Sequence, residues 1–420
     1  MERELKGIRE LLFKYDKLTT LINRIDASSL MVAHEEQCSR KASGVDGVTK
    51  QIYGENLIGN VTELVRRMKS FKYYPQPVRR VYIPKANDSM RPLGIPSYED
   101  KLVQSVMAEI LREVYEPRFL NCSYGFREGR GAHDVVRQIN SAVMHENVRY
   151  VLEADIKGFF DNLDHVWLMR FLEHDIADKK FLRYIRRFLK AGVMEGNQCT
   201  PSDKGSPQGG LISPTLANVY LHYVLDLWLG RRVRKYLKGH MRYLRYADDF
   251  ICLFQYEEDA QKVMSWMRMR LAKFGLEMAE DKTRILPFGR YRGTKEKFDF
   301  LGFTFVNTKT RYGKYRLAVI TSQKKLKSKR ASVKTWLRKR LTKPVVETLK
   351  LLNLALQGHY NYYGVNGNCR ALQSFTWYVR HSTMRMLRRR SQRSNIRWEK
   401  FNELWERYVS PPRIKVNIWA

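Results

Sequence analysis

Residues 241–254, Met-Arg-Tyr-Leu-Arg-Tyr-Ala-Asp-Asp-Phe-Ile-Cys-Leu-Phe, constrain the fold of this chain more than any other stretch. Met241 to Tyr246 and Phe250 to Phe254 are apolar and aromatic runs of strand length, separated by Ala247-Asp248-Asp249. Two such runs so close together read as a β-hairpin with acids at its turn. Asp-Asp is also a good turn pair in its own right, since short acidic side chains bond nearby backbone. Here the flanks are strongly apolar, which sets two carboxylates at the edge of a core rather than on an open loop.

A second acid has the same setting. Tyr150 to Ala154 is a short apolar strand ending at Asp155. If that strand neighbours the hairpin in one sheet, three carboxylates converge. Adjacent acids repel and shift one another's pKa unless a cation lies between them. Phosphoryl transfer from a nucleoside triphosphate needs such a cluster: two metal ions activate a 3′-hydroxyl and steady the leaving oxygen. Mg²⁺ suits the task, taking one or two carboxylates and completing its shell with phosphate and water.

The remaining pattern is mixed. Residues 1–40 read as helix, and so do Glu99 to Tyr115, Ala132 to Met144, Asp164 to Leu189, Pro214 to Leu229 and Ala260 to Phe274. Val78 to Ile83 and Phe298 to Val306 read as strands, and Lys85 to Arg91 as a polar hairpin tip between Pro84 and Pro92. Helices packed on antiparallel sheet give an α+β class.

Charge narrows the partner. The chain carries 77 Lys/Arg against 43 Asp/Glu, a net +34, and residues 311–420 alone hold 26 Lys/Arg and 4 Asp/Glu. A protein this basic meets a polyanion. No stretch of about 18 apolar residues offers a membrane span, which favours nucleic acid over membrane. The N-terminus has no signal-peptide pattern, and the five scattered cysteines form no Cys-x-x-Cys pair. Both features point to a cytoplasmic protein with reduced thiols and no zinc. The charge step divides the chain into a body, 1–310, a basic helical region, 311–397, and a short tail, 398–420. Residues 324–343 carry ten Lys/Arg and no acid, with apolar residues at broadly helical spacing, so one face can pack while the other meets phosphates.

With these blocks in view, the chain resembles the reverse transcriptases of group II introns. Tyr246-Ala-Asp-Asp249 is similar to their catalytic box. Around it, in family order, stand Gly44-Val-Asp-Gly47, Arg91-Pro-Leu-Gly-Ile-Pro96, Ser123-Tyr-Gly-Phe-Arg127, Asp155-Ile-Lys-Gly-Phe-Phe160, Ser206-Pro-Gln-Gly-Gly210 with Ser213-Pro214, and Phe300-Leu-Gly-Phe303.

The resemblance implies a right-hand polymerase, with fingers and palm followed by a helical thumb, the maturase X domain. It implies an RNA template, a DNA or RNA primer, dNTPs, structured intron RNA and two Mg²⁺ ions as partners. Asp155, Asp248 and Asp249 become the metal-binding acids, with Ile156 beside them in the metal shell. Phe160 becomes a steric gate against a 2′-hydroxyl. Lys85 and Arg91 become triphosphate ligands, Gln208 and Gly209 touch the incoming nucleotide and template, and Lys282 protonates the leaving pyrophosphate. Arg127 and Arg130 are expected along the template path. No paired histidines and Cys-x-x-Cys pairs of an H-N-H endonuclease are seen, and the tail reads as a vestigial DNA-binding segment at most. Two other roles fit the same blocks: an RNA-binding maturase with secondary polymerase activity, and a domesticated reverse transcriptase of antiphage or CRISPR-linked defence.

Overall fold

The computed structural model describes residues 7–15, 17–84, 90–196, 198–201, 203–205, 209–293, 295–390 and 396–419. Three antiparallel-rich sheets organise it. In the first, β1 (Val78–Pro84) forms a hairpin with β2 (Met90–Ile95), and β4 (Val193–Glu195) adds alongside β1 with β5 (Gln198–Thr200) at the edge. The central sheet has the order β6 (Met241–Tyr246), β7 (Asp249–Phe254), β3 (Tyr150–Ala154), β8 (Arg284–Pro287). The third runs β11 (Tyr315–Thr321), β10 (Phe303–Lys309), β9 (Lys297–Phe300).

Side-chain alternation gives the central sheet two different faces. Tyr150, Leu152, Ala154, Phe250, Cys252 and Phe254 point into one core, where the helix Glu257–Lys273 covers them with Ala260, Val263, Met267 and Leu271. Val151, Leu244, Ile251 and Leu253 point into another core, shared with the helix Ala132–His145, the third sheet and the C-terminal helices. Burying both faces of these strands explains why they read as unbroken apolar runs rather than as alternating ones.

The α+β architecture of fingers, palm and helical thumb is the one expected, with three local corrections. The region 1–40 is not one helix: Ile8–Lys14, a 3₁₀ turn at Leu21–Arg24 and Ala27–Glu36 are separate pieces. The long helix expected at 164–189 is two, His165–Asp175 and Lys179–Lys190. Asp178 breaks it, accepting bonds from the N–H groups of Lys180 and Phe181 as an N-cap and from that of Ile22 across the fold.

The strand expected at 298–306 is a hairpin of β9 and β10, with Leu301 (φ 50°) and Gly302 (φ 78°) as its two-residue turn. Both central residues need positive φ in a turn of this kind. A Cβ on Gly302 would also stand 2.8 Å from the Tyr363 hydroxyl.

The helices Gln323–Arg338, Val345–Tyr363, Cys369–Arg388 and Trp398–Tyr408 follow. The first buries only Leu326 and Leu337 and leaves most of its cations exposed, as its spacing anticipates. Phe401 and Trp405 of the last helix are buried in the same core as the three before it. Among the described residues no helix is long and apolar enough to cross a membrane.

Candidate active site

The central sheet assembles the acids. Ala154 pairs with Phe250 in the antiparallel ladder of β3 and β7, and one further step of that register sets Asp155 opposite Asp249. Directly opposed residues share a face. That face is the one carrying Glu153, Val151 and Ile251, turned toward the third sheet and the C-terminal helices. Tyr246 pairs with Asp249, so the hairpin loop is only Ala247-Asp248.

Ala247 holds φ at 56°, rare for a residue with a Cβ. Such a backbone persists only where the surroundings impose it. A Cβ on Gly125 would lie 2.3 Å from the Ala247 nitrogen, so the Ser123–Arg127 block presses directly on the turn.

Electrostatics record the crowding. Burial pushes the Asp248 carboxyl above its ordinary range and the Asp155 charge adds to this, while Arg91 and Lys282 oppose it. Asp249, which keeps solvent access as a residue, has its carboxyl pushed up to about 6, first by desolvation and then by Asp248 and Asp155. Lys282, in a 3₁₀ turn before β8, donates from Nζ to Asp155 Oδ2 at 2.5 Å, and that bond raises the ammonium pKa.

Asp155, Asp249 and Lys282 line a cleft of about 400 Å³ with Glu153, Arg284 and Asp299. Among the described residues no three His, Cys, Asp or Glu side chains stand close enough to enclose a metal by themselves. Mg²⁺ takes one or two carboxylates and relies on substrate phosphate and water for the rest of its shell, so carboxylates at strand ends are a donor set of the right chemistry. Ile156 follows directly on Asp155. It bridges Met278 through bonds made by its neighbours, Ala279 N–H to Asp155 C=O and Lys157 N–H to Glu277 C=O. Its own carbonyl therefore points the other way, toward the β7 side.

The main residue that sequence reading passed over is Arg245. It is fully buried, and all five of its N–H donors are used. Nε and Nη2 clamp Asp226 at 2.8 and 2.6 Å, Nη2 also reaches Ser123 Oγ at 2.7 Å, and Nη1 reaches Asn218 Oδ1 at 2.9 Å and the Ala247 carbonyl at 3.0 Å. Burial opposes the charge, and Asp226 outweighs it, raising the guanidinium pKa. Asn218 in turn donates to Gly125 C=O at 2.7 Å, and Tyr243 donates to Asp226 at 3.1 Å. One guanidinium thus ties Ser123, Asn218 and Asp226 to the turn that holds the acids. The available signal was parity: Arg245 falls on the inward side of β6 beside Tyr243, where an unpartnered cation is very costly.

Other expected residues sort differently. Arg91 sits on β2, opposite Ile83, and its charge is felt at Asp248. Lys85 and Gln208 lie outside the described residues. Gly209 (φ 112°) packs so closely on β2 that a Cβ would meet the Gly94 carbonyl at 2.6 Å. Phe160, on the turn of helix Phe159–Asn162, is 8% exposed and meets Phe159 edge-on.

Arg127 corrects the template-path expectation. Its side chain is 2% exposed, forked onto Glu116 and bonded to the Leu120 and Ser123 carbonyls, so it is structural. Arg130 bonds Asn121 and lies 5.6 Å over the Tyr124 ring.

Comparison with known proteins identifies the family. Residues 83–305 match the family model "Reverse transcriptase (RNA-dependent DNA polymerase)", and residues 326–405 match "Group II intron, maturase-specific domain". The chain is 30% identical to the group II intron-encoded protein LtrA of Lactococcus lactis subsp. cremoris, across 85% of this chain and 72% of that one. It is 30% identical to protein YkfC of Escherichia coli, across 69% and 82%. It is 26% identical to the mitochondrial nuclear intron maturase 2 of Arabidopsis thaliana, across 47% and 30%.

Proposed function

The chain belongs to the reverse transcriptases of group II introns and is an RNA-directed DNA polymerase with a maturase domain, and on that premise we propose that it extends a primer 3′ end with dNTPs on an RNA template by two-metal-ion phosphoryl transfer. The observation that supports this most is the juxtaposition of Asp155 and Asp249 across neighbouring strands, with Asp248 in the turn between β6 and β7. Three carboxylates at strand ends, two of them with raised pKa values, suit a site designed around divalent cations.

In this reading Asp155 and Asp248 would hold the Mg²⁺ ions with the Ile156 carbonyl, and Asp249 would chiefly shape the field. Bound there, divalent cations would supply a lowered pKa for the attacking 3′-hydroxyl and charge neutralisation on the triphosphate. Lys85 and Arg91 grip the phosphates from the fingers hairpin. Gln208 and Gly209 border the nucleotide and template. Lys282, which bonds Asp155 in the ion-free protein, would be the proton donor to the departing pyrophosphate.

The polymerising body runs past the expected boundary at 310, because β11 (Tyr315–Thr321) pairs with β10, and the helices from Gln323 onward form the thumb, which also holds intron RNA for splicing. Residues 398–420, expected as an appended tail, belong to the same unit, since Phe401 and Trp405 are buried in the core of the three preceding helices. The maturase-domain match and the exposed cations of Gln323–Arg338 favour that second, RNA-binding role. Primer extension on an RNA template with Mg²⁺ and dNTPs tests the main reading. Well-folded protein that yields no cDNA would refute it.

Two further results are expected. Phe160→Ala should open space beneath the sugar and raise ribonucleotide incorporation; unchanged discrimination between rNTPs and dNTPs would remove Phe160 from the gate role. The second concerns pH. The Asp249 carboxyl is raised from 3.8 to about 6 in the ion-free protein, so folding favours its protonated form. Its contribution to metal-free stability is therefore full at low pH and lost as pH rises through about 6. Ionised acids repel at pH 8 and bind Mg²⁺; at pH 5 protons compete. Mg²⁺ should raise Tm more at pH 8 than at pH 5, and Asp249→Asn should shrink that difference. An equal Mg²⁺ gain at both pH values would contradict it.

A further inference from the structure

The face of the central sheet opposite the acids carries a second feature. An open groove of about 600 Å³ lies between the segment Trp228–Tyr236 and the outer side of helix Glu257–Lys273. It is lined by Trp228, Tyr236 and Trp266 with Arg232, Arg270 and Lys273. It shares no residue with the cleft of Asp155 and Asp249. The helix beside it covers the core that holds the even-numbered side chains of β3, whereas Asp155 lies on the other face.

The groove combines rings with cations. Tyr236 is 71% exposed and meets Trp266 edge-on at 6.4 Å. Arg270 is fixed by bonds to the Tyr223 and Val224 carbonyls and lies 5.7 Å over the Trp228 ring, so the floor is rigid. Residues 228–238 contain five cations and no acid. Lys238 is paired with Glu258. Arg231, Arg232, Arg234 and Lys235 are exposed and have no acidic partner among the described residues. Core packing accounts for Leu229 and Val233 and for part of Trp228 and Trp266, but it leaves Tyr236 and the open sides of both indoles bordered by unneutralised charge.

We infer that this groove is a second nucleic-acid site, which binds a single-stranded segment of RNA by stacking bases on Trp228, Tyr236 and Trp266 while the neighbouring arginines and Lys235 hold its phosphates. Charge selects the occupant. A second copy of a chain carrying +34 would bring like charge to the groove, whereas a single strand supplies both negative phosphates and flat π faces. An A-form duplex hides its base faces inside the stack and offers the rings nothing to stack on. The choice of RNA rests on the function proposed above; the groove itself does not.

The test uses the full chain with its polymerising cleft filled by a template–primer duplex, a dideoxy-terminated primer and the next dNTP. A fluorescent oligouridylate of about ten nucleotides, within the range of single-strand sites, is then titrated and followed by anisotropy. Wild-type protein should bind it in addition to the duplex. Trp228→Ala/Trp266→Ala should weaken that binding roughly ten- to hundred-fold, from loss of one or two stacks. Because those rings are partly buried, a second variant is needed. Arg231→Ser/Arg232→Ser/Arg234→Ser touches only exposed side chains and should lower the slope of log K against log salt by about 2, at roughly 0.7 per lost phosphate contact on a single strand.

Both variants should extend a short template at the wild-type rate. Unchanged affinity and salt slope in both would overturn the proposal. So would a change in sedimentation without a change in RNA binding, which would assign the groove to a protein contact. Loss of primer extension by wild-type protein would instead refute the polymerase reading, and the titration would still report on the groove.

Discussion

The Asp248→Ala/Asp249→Ala variant should lose primer extension by roughly four orders of magnitude or more while keeping its affinity for RNA. Each 1.36 kcal/mol of lost transition-state stabilisation is about tenfold in rate, and metal-borne charge stabilisation is worth several kcal/mol, so roughly 10⁴ is a modest expectation. Folding should not suffer. Both side chains stand at a turn, and their carboxyls are held above the ordinary range by burial and by the Asp155 charge, so removing them relieves ion-free repulsion. Melting temperature without Mg²⁺ should stay level or rise. RNA affinity should persist and fall steeply with salt, because the removed carboxylates offer no positive charge for phosphate to meet. Equal cDNA yield from variant and wild type would overturn the assignment of these acids.

The second large effect is on stability. Asp226→Ala would leave the Arg245 guanidinium fully buried without its carboxylate. Breaking a buried pair from one side costs about 3–5 kcal/mol, a large part of the about 5–15 kcal/mol that holds a typical domain. Urea titration should show the midpoint shift. The companion Arg245→Met/Asp226→Leu removes both charges and should recover most of the stability, as apolar replacements of buried pairs often do.

Its activity should not recover in parallel. Arg245 also donates to the Ala247 carbonyl and to Asn218 and Ser123, and these bonds hold the strained turn beneath Asp248. A stable but slow double variant, with kcat reduced and KM for dNTP little changed, is the expected signature of positioning. Full recovery of kcat would make Arg245 a purely structural residue.

Much of this site could be read from the chain because its parts are local. Asp155 ends an apolar run and Asp248-Asp249 interrupts another, and strand periodicity alone puts such acids at sheet ends. The Gln323–Arg338 helix was legible for the same reason, since its two buried leucines and many exposed cations follow helical spacing.

Misreadings arose where a distant residue decides local structure. The helix expected over 164–189 stops because Asp178 caps the next helix and binds Ile22, more than a hundred and fifty residues away. The strand expected over 298–306 folds back because Leu301 and Gly302 adopt positive φ under Tyr363. Arg127, a basic residue in a polar loop, turned out to be locked against Glu116 and two carbonyls.

By itself, then, the sequence determined the chemistry on offer: three acids in apolar frames, a basic helical end and an ordered set of blocks that marks the family. Those properties follow from side-chain type and short-range periodicity. Only the tertiary structure decided which acids meet, that Asp155 lies beside Asp249 on the face turned to the thumb, and that Lys282 bonds Asp155. It also decided that Arg245 joins Ser123, Asn218, Asp226 and Ala247 from the opposite face. Strand order, sheet register and the partners of a buried cation depend on segments that are remote in the chain, and a period of two or 3.6 residues carries no record of them.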